Sequence, residues 1–479
     1  MDISVILENA GVLSAVQSDI NINAITDDSR KITKDCAFVC IEGKNFDGHS
    51  FAKRAIEQGA SVVIVQKDIG LKEQIIVEDT RKAYSIMCGN FCGNPAKKLK
   101  IIGVTGTNGK TTTCYVLKSI LDSLGEKTGL MGTIKNIVGD EEYPSHLTTP
   151  DPLEFHTLLK EMVKKGCTYC VMEVSSQALA QQRVAGIRFL AGIFTNLTQD
   201  HLDYHGSFEE YRSAKKKLFE TTDLAVINLD DDSAQFMMED LDCRTVTYSV
   251  NMDESDYTAK YIQLKNTGAE YELVGNSIIG RVRFGVPGLF SVYNSMGAAV
   301  CAVELGYSFT KVLDALANTK GVPGRLEVVP TDTNYSVVID YAHSPGGLEN
   351  ILKALNEIKK NRLITVFGCG GDRDKAKRPI MGKIAAELSD IVVITSDNPR
   401  TEDPEQIVKE VEEGTQGIRN TILIEVDRTK AIELALKKAK ENDIVLLAGK
   451  GHETYQIIKT GKIHYDEREI VRDILSKTR

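Results

Sequence analysis

The sequence predicts an α/β protein of three blocks with largely parallel sheets, and three observations predict it. The chain has 479 residues, which at roughly 150 residues per domain is room for about three domains. Apolar runs bounded by glycine and polar loops alternate with helical patterns along the whole chain, as in layered α/β folds. Near the C-terminus four such runs, Val337–Ile339, Leu363–Phe367, Ile391–Ile394 and Ile444–Ala448, each pass at once into a polar loop. In open parallel sheets the ligand crevice lies beyond the carboxyl ends of the strands, so those loops are expected to carry chemistry.

The first block spans residues 1–98 and closes on Gly93-Asn94-Pro95-Ala96-Lys97-Lys98. The second, residues 99–325, opens on the strand-like Leu99–Val104 and ends at the turn-rich Gly321–Arg325. The third covers residues 326–479. Hydrophobic residues are 42% and charged residues 26% of the chain, a balance that excludes disorder as the main state. The net charge is -9, so no basic excess marks a nucleic-acid partner. The N-terminus has no basic stretch before an apolar core, and no apolar run approaches a membrane span, so a cytoplasmic protein without membrane insertion is expected. Ten scattered cysteines, several within strand-like runs such as Cys167–Met172, read as buried reduced thiols rather than zinc ligands.

The strongest local signal is Gly103-Val104-Thr105-Gly106-Thr107-Asn108-Gly109-Lys110-Thr111-Thr112. It follows a strand and precedes a helix with Val116, Leu117, Ile120, Leu121 and Leu124 on one face, the setting that a phosphate loop requires. Backbone N–H groups at the helix start face a polyphosphate, Lys110 adds a point charge, and the Thr111 hydroxyl suits Mg²⁺. Further on, Glu173 interrupts the apolar run Val171–Val174. A buried carboxylate must be paired, protonated or metal-bound, and both Mg²⁺ ligation and a structural ion pair satisfy that need. The stretch Thr195–Gly206 gathers two of the eight histidines, His201 and His205, among acidic residues, a density that argues for a site.

The loop Gly106–Thr112, Asp200-His201-Leu202-Asp203-x-His205-Gly206, Tyr211-x-x-Ala214-Lys215, and Tyr293-Asn294 with Ala298-Ala299 together resemble the ATP-dependent Mur ligases of peptidoglycan precursor synthesis. Folylpolyglutamate synthetases share that architecture. The third block is more specific. Gly368-Cys369-Gly370-Gly371-Asp372-Arg373-Asp374-Lys375, Asp397-Asn398-Pro399-Arg400 and Gly449-Lys450-Gly451-His452-Glu453 resemble the Mur ligases that add the third residue of the stem peptide.

The resemblance covers essentially the whole chain. It implies three domains: a UDP-sugar-binding domain, a central P-loop ATPase-type domain and a C-terminal Rossmann-like domain that binds the amino acid. The implied reaction is ATP-dependent. The γ-carboxylate of UDP-N-acetylmuramoyl-L-alanyl-D-glutamate is phosphorylated, and an incoming amine attacks the acyl phosphate to form an amide. By the same resemblance Gly106, Thr107, Asn108, Gly109, Lys110, Thr111, Thr112, Asn294, Arg325 and Asp340 bind ATP. Thr111, Glu173, His201 and a carbamylated Lys215 hold Mg²⁺, and Lys110, Lys215, His201 and Glu173 serve catalysis.

Ser29 and the loop Gly43–His49 face the UDP-sugar, while Thr148, Thr149, Ser175, Gln181 and Arg183 face the muramoyl peptide. Gln177 departs from the usual His after the double Ser. Arg373, Asp397, Asn398, Pro399, Arg400, Gly449 and Glu453 match contacts to meso-diaminopimelate. That amino acid ends in both an ammonium and a carboxylate, so its pocket needs an arginine fork and carboxylate acceptors. A folate or lysine ligase and a nucleotide-binding switch without ligase chemistry are the competing readings; the Asp397–Arg400 loop argues against the former, and the third-block motifs with Lys215 against the latter. A monomer is expected, with small-molecule substrates as its partners.

Overall fold

The computed structural model describes residues 1–15, 20–43, 46–265, 268–319 and 321–477, with the backbone alone at Asp203. Lys44 and Asn45 of the expected UDP-sugar loop, and the Asp203 side chain, lie outside the described residues. The chain forms two compact units, one of Met1–Thr258 with Met296–Val312, the other of Ala259–Ser295 with Leu313–Arg479.

The first unit opens with a parallel sheet of β1 (Ala24–Thr26), β2 (Cys36–Val39), β3 (Val62–Val65) and β4 (Gln74–Ile76), in that order. Its residues alternate between two cores. Ala37, Val39, Val62 and Ile64 face one, whereas Cys36, Phe38, Val63 and Val65 face the other. This is the two-residue period of strands covered on both faces.

The main sheet of the unit uses β5 (Lys100–Thr105), β6 (Thr128–Met131), β7 (Lys135–Val138), β8 (Glu141–Pro144), β9 (Tyr169–Glu173), β10 (Phe189–Phe194), β11 (Thr222–Asn228) and β12 (Arg244–Ser249). The order is β12-β11-β10-β5-β9-β6-β7-β8. Every pair from β12 to β6 is parallel, and only β7 and β8 turn antiparallel. β5 therefore sits at the centre, and its carboxyl end feeds the helix Lys110–Ser123. That helix buries Val116, Leu117, Ile120 and Leu121, while Leu124 is its C-cap.

In the second unit, β13 (Tyr257–Lys265), β14 (Gly268–Gly275) and β15 (Ile278–Phe284) lie side by side. The C-terminal sheet holds β16 (Glu327–Val329), β17 (Ser336–Asp340), β18 (Leu363–Phe367), β19 (Ile391–Ile394), β20 (Thr421–Ile424) and β21 (Ile444–Ala448), ordered β16-β17-β21-β18-β19-β20. All neighbours are parallel except β16 with β17. The four apolar runs singled out in the sequence are thus adjacent strands, and their following loops share one edge. A hairpin, β22 (Tyr455–Ile458) with β23 (Gly461–His464), follows the last of those loops.

All ten cysteines are free; nine are buried and Cys243 is half-buried. Among the described residues no helix is long and apolar enough to cross a membrane.

Candidate functional site

The phosphate loop is braced from one side by the segment after β10. Thr107 N–H donates to the Asn196 carbonyl at 2.8 Å, Asn108 N–H donates to Asn196 Oδ1 at 3.0 Å, and Thr195 Oγ1 donates to the Asn108 carbonyl at 2.6 Å. Gly106 has φ +148°, and a Cβ there would fall 1.9 Å from Thr195 Oγ1, so only glycine fits this close approach. Gly109 is the helix N-cap, with φ +87°. The N-terminus of the Lys110–Ser123 helix consequently presents its free N–H groups at the loop, a ready anion site. Thr112 is buried in its first turn.

Two cationic side chains converge on this loop. Lys110 Nζ donates to the carbonyls of Gly106 and Thr107 at 2.8 and 2.9 Å. Lys215 Nζ donates to the same Gly106 carbonyl at 2.7 Å. Lys215 lies on the helix Phe208–Lys216, is 1% exposed, and packs over the Tyr211 ring at 4.7 Å. Burial, reinforced by the nearby Lys110 charge, holds its amine well below the usual lysine range. His201 stands with its ring 6.2 Å from the other partner of that packing, Tyr211. It caps a short helix at φ +53° and is half-exposed beside Asp200.

Glu173, at the end of β9, is the hub next to the loop. Its Oε2 accepts from Thr111 Oγ1 at 2.9 Å and from Thr133 Oγ1 at 3.1 Å, and its Oε1 accepts from Thr133 N–H at 2.8 Å. Both ways of satisfying this buried carboxylate were open from sequence. The structure supplies neutral hydroxyl and amide donors and, among the described residues, no ion pair. Among the described residues, no three His, Cys, Asp or Glu side chains gather as a metal centre.

From Glu173 a continuous network runs outward. Thr133 Oγ1 pairs with Thr148 Oγ1 at 3.2 Å, and Thr149 Oγ1 donates to the Glu173 carbonyl at 2.9 Å. Ser175 N–H donates to Thr149 Oγ1, and Arg183 Nη1 to the Thr149 carbonyl at 2.8 Å. Arg183 also grips Gln181 Oε1, and Gln181 Nε2 donates to the Tyr204 hydroxyl at 3.0 Å. The five residues expected to face the muramoyl peptide are therefore one hydrogen-bonded group. Gln177, the departure, accepts from Ser176 Oγ, which in turn pairs with His205 Nε2 at 2.9 Å. Ser29 lies apart from this group. It lines a cavity of about 500 Å³ with Arg30, Ile32, Arg54 and Gln58. His49 is fixed between Asp47 and the Gln66 N–H.

In the second unit, the loops after β17, β18, β19 and β21 meet at one sheet edge. Asp397 and Asn398 are 7% and 4% exposed. Asn398 Nδ2 donates to Glu453 Oε2 at 2.9 Å, and the Ile457 N–H donates to Asn398 Oδ1 at 2.9 Å. Pro399 is buried, and its carbonyl accepts the Glu402 N–H. Arg400, at φ +53°, donates from Nη1 to the Gly371 carbonyl at 2.7 Å. Gly449 has φ +109°, and a Cβ there would come within 2.8 Å of Asp397 Oδ2. Arg373, by contrast, is exposed and donates to the neighbouring Asp372 carbonyl.

Asp340 anchors the entry to this unit, its two oxygens accepting the Leu326 and Ala342 N–H groups at 2.7 and 2.8 Å. Burial raises its pKa, and Arg325 partly opposes that. The Arg325 guanidinium lies over the Tyr341 ring at 5.0 Å, with its Nε buried and unpartnered. Asn294 is buried on the helix Leu289–Glu304.

Three supporting residues were not identified from sequence as site residues. Thr133 holds both oxygens of Glu173, and nothing local betrays a partner 40 positions away. Lys450 is fully buried and donates to Asn398 Oδ1 at 3.2 Å and Glu453 Oε2 at 3.1 Å. Glu453 is therefore a compensated carboxylate, not a free one. Arg428 is 2% exposed, pairs with Glu467 at 2.8 Å, and donates to the carbonyls of Ser396 and Ala448, where the β19 and β21 loops begin. A legible signal exists for it: Arg428 shares a helical stripe with Ala431, Ile432, Ala435 and Leu436, so it had to be buried and paired.

The chain matches the Mur ligase family, catalytic domain over residues 21–88, the Mur ligase middle domain over 104–302, and the Mur ligase, glutamate ligase domain over 324–451. It is 49% identical over 458 residues to the UDP-N-acetylmuramoyl-L-alanyl-D-glutamate--2,6-diaminopimelate ligase of Clostridium perfringens, covering 94% of each chain. The protein of the same name from Clostridium botulinum is 44% identical over 485 residues, covering 100% of each. A solved structure of a UDP-N-acetylmuramoyl-L-alanyl-D-glutamate--2,6-diaminopimelate ligase superposes with a TM-score of 0.73 at 34% identity, covering 95% of each chain. The chain belongs to the Mur ligase family.

Proposed function

We propose that this chain is an ATP-dependent ligase that joins meso-2,6-diaminopimelate to UDP-N-acetylmuramoyl-L-alanyl-D-glutamate, as the names of its relatives state for them. The observation that carries the choice of amino acid is the Asp397–Arg400 loop. It carries a buried carboxylate, Asp397, and, three positions on, a guanidinium held by the Gly371 carbonyl, the two kinds of charge that a zwitterionic amino-acid end requires. The working domains are residues 1–98 for the UDP-sugar, 99–325 for ATP and 326–479 for the amino acid. ATP and a UDP-sugar are cytoplasmic compounds, so the reaction belongs in that compartment.

Lys110 and the helix N-terminus bind and orient the terminal phosphates, and the braced loop keeps their N–H groups aimed. Thr148, Thr149, Ser175, Gln181 and Arg183 orient the muramoyl peptide so that its γ-carboxylate meets the phosphate. Asn294, Arg325 and Asp340 hold the nucleoside, the unpartnered Arg325 Nε being a donor kept for it. Arg400 and Asp397 hold the two charges of the incoming amino acid's side-chain end.

The donor set fits Mg²⁺ in part as it stands. Thr111 Oγ1 and Glu173 Oε2 are hard oxygen donors 2.9 Å apart, the type that magnesium takes alongside phosphate oxygens. Bound there, the cation offsets anionic charge as the phosphate and carboxylate converge. Lys215 as an ammonium cannot ligate a cation. Its buried amine, with a pKa lowered by burial and by Lys110, can in its unprotonated form add to CO₂, forming an N–C bond with loss of a proton, and the resulting carbamate would supply anionic oxygens.

The experiment that tests the ligase reading uses UDP-muramoyl-dipeptide with heavy oxygen in the γ-carboxylate. With ATP, Mg²⁺ and diaminopimelate, an amide product, ADP and phosphate carrying one of the heavy oxygens are expected. Phosphate free of the label, or nucleotide hydrolysis without an amide, would reject it.

A further inference from the structure

The loops Asp397–Arg400 and Gly449–Glu453 carry four charged side chains between them, Asp397 and Glu453 against Arg400 and Lys450. Their sum is zero. The adjacent loop is balanced too, with Asp372 and Asp374 against Arg373 and Lys375. Lys450 is the unusual member, because its side chain is completely buried, whereas that of Glu453 is 13% exposed. Its Nζ lies 3.1 Å from Glu453 Oε2 and 3.2 Å from Asn398 Oδ1, with the Tyr455 and Tyr465 rings at 5.9 and 5.8 Å. Asn398 Nδ2 donates to the same Glu453 oxygen at 2.9 Å. Glu453 Oε2 is thus occupied by two donors. The Asp397 carboxylate accepts no hydrogen bond from the described residues, so with Glu453 Oε1 it is an acceptor left for a ligand.

A buried charge is barely screened by salt or water. A bound ligand therefore feels the net charge of the pocket, and not only the groups that it touches. A pocket that sums to zero suits an amino-acid end bearing both ammonium and carboxylate. It is mismatched by one unit to an end bearing an ammonium alone.

We infer that Lys450 is a specificity-determining positioning residue. By cancelling the charge of Glu453 and holding Asn398, it matches the pocket to a zwitterionic side-chain end and disfavours a lone ammonium. This rests on the reading of these loops as the amino-acid pocket.

The test is kcat/KM for diaminopimelate and for L-lysine in the full-length enzyme, in Lys450→Met, in Glu453→Gln and in the double variant. Lys450→Met leaves one extra negative charge and should lower the diaminopimelate-to-lysine ratio by about tenfold or more. Glu453→Gln leaves one extra positive charge and should raise that ratio. The double variant restores the balance and should return the ratio to within about threefold of wild type, both charges being gone.

A purely structural Lys450 would lower use of both amino acids together and leave the ratio unchanged, which would overturn the inference. If Lys450→Met fails to fold, the double variant has no stranded charge, and the comparison passes to it and Glu453→Gln. A double variant that has lost the preference, or a Glu453→Gln enzyme with a lowered ratio, would then overturn it. A wild-type enzyme that forms no amide with either amino acid would instead refute the ligase reading itself.

Discussion

Replacing Lys110 by alanine should abolish ligase activity while leaving the fold intact. The ammonium bonds to the Gly106 and Thr107 carbonyls of the loop that it serves, at the N-terminus of a helix whose buried face is made by Val116, Leu117, Ile120 and Leu121. Alanine is a strong helix former at that position, and no core contact is lost. What disappears is the point charge that steadies the phosphates as negative charge shifts among their oxygens. Losing one such preorganised group typically costs about 10²–10³-fold in kcat. ADP release in the presence of all three substrates, with circular dichroism as the check on folding, measures it. A folded variant that turns over like wild type would contradict the phosphate-loop assignment.

Lys215→Ala should be nearly as damaging, but repairable. The lysine is buried, donates to the Gly106 carbonyl, packs over the Tyr211 ring, and has its pKa lowered by burial and by Lys110. A neutral buried amine reacts with CO₂, and an anionic carbamate would answer the positive charge of Lys110. Removing the side chain leaves a space that a small carboxylic acid can enter, so formate or acetate should restore part of the activity in proportion to concentration. The same acids should do nothing for Lys110→Ala. Carbon-13 bicarbonate added to wild type should give a carbamate resonance that is missing from the variant. An alanine variant active without added acid, or no resonance in wild type, would refute the modification.

The parts of the fold read directly from sequence are those set by short-range pattern. The strand-loop-helix around Gly106–Thr112 follows from one apolar run, glycine spacing and a 3.6-residue stripe, and the four strands of the third block follow from apolar length alone. The edge strands β16 and β20 and the β22–β23 hairpin were not legible. They are short, and residues such as those of β20 and β23 are largely half-buried or exposed, so no continuous apolar run marks them.

The same division holds at the site. Glycine, lysine and hydroxyl positions of the phosphate loop are local and were identified. The partners that orient them are distant in sequence: Thr133 for Glu173, Asn196 for Asn108, Lys450 for Asn398. Lys215 lay between these cases. Taken alone it reads as a surface lysine on a helix over Glu209–Phe219, and only the motif Tyr211-x-x-Ala214-Lys215 marked it for function.

The most direct test of the central claim is the specificity constant for meso-diaminopimelate against L-lysine in wild type and in Arg400→Ala. Arg400 is held by the Gly371 carbonyl through one nitrogen and stands beside the Asp397 carboxylate loop. L-lysine keeps the side-chain ammonium but lacks the distal carboxylate, so it leaves a half-buried guanidinium without its partner. That should cost about 3 kcal/mol, a preference on the order of 10²-fold for diaminopimelate. The account predicts that Arg400→Ala loses most of this preference while the KM values for ATP and the UDP-substrate stay as they were. Equal use of lysine by the wild-type enzyme, or an undiminished preference in Arg400→Ala, would contradict it.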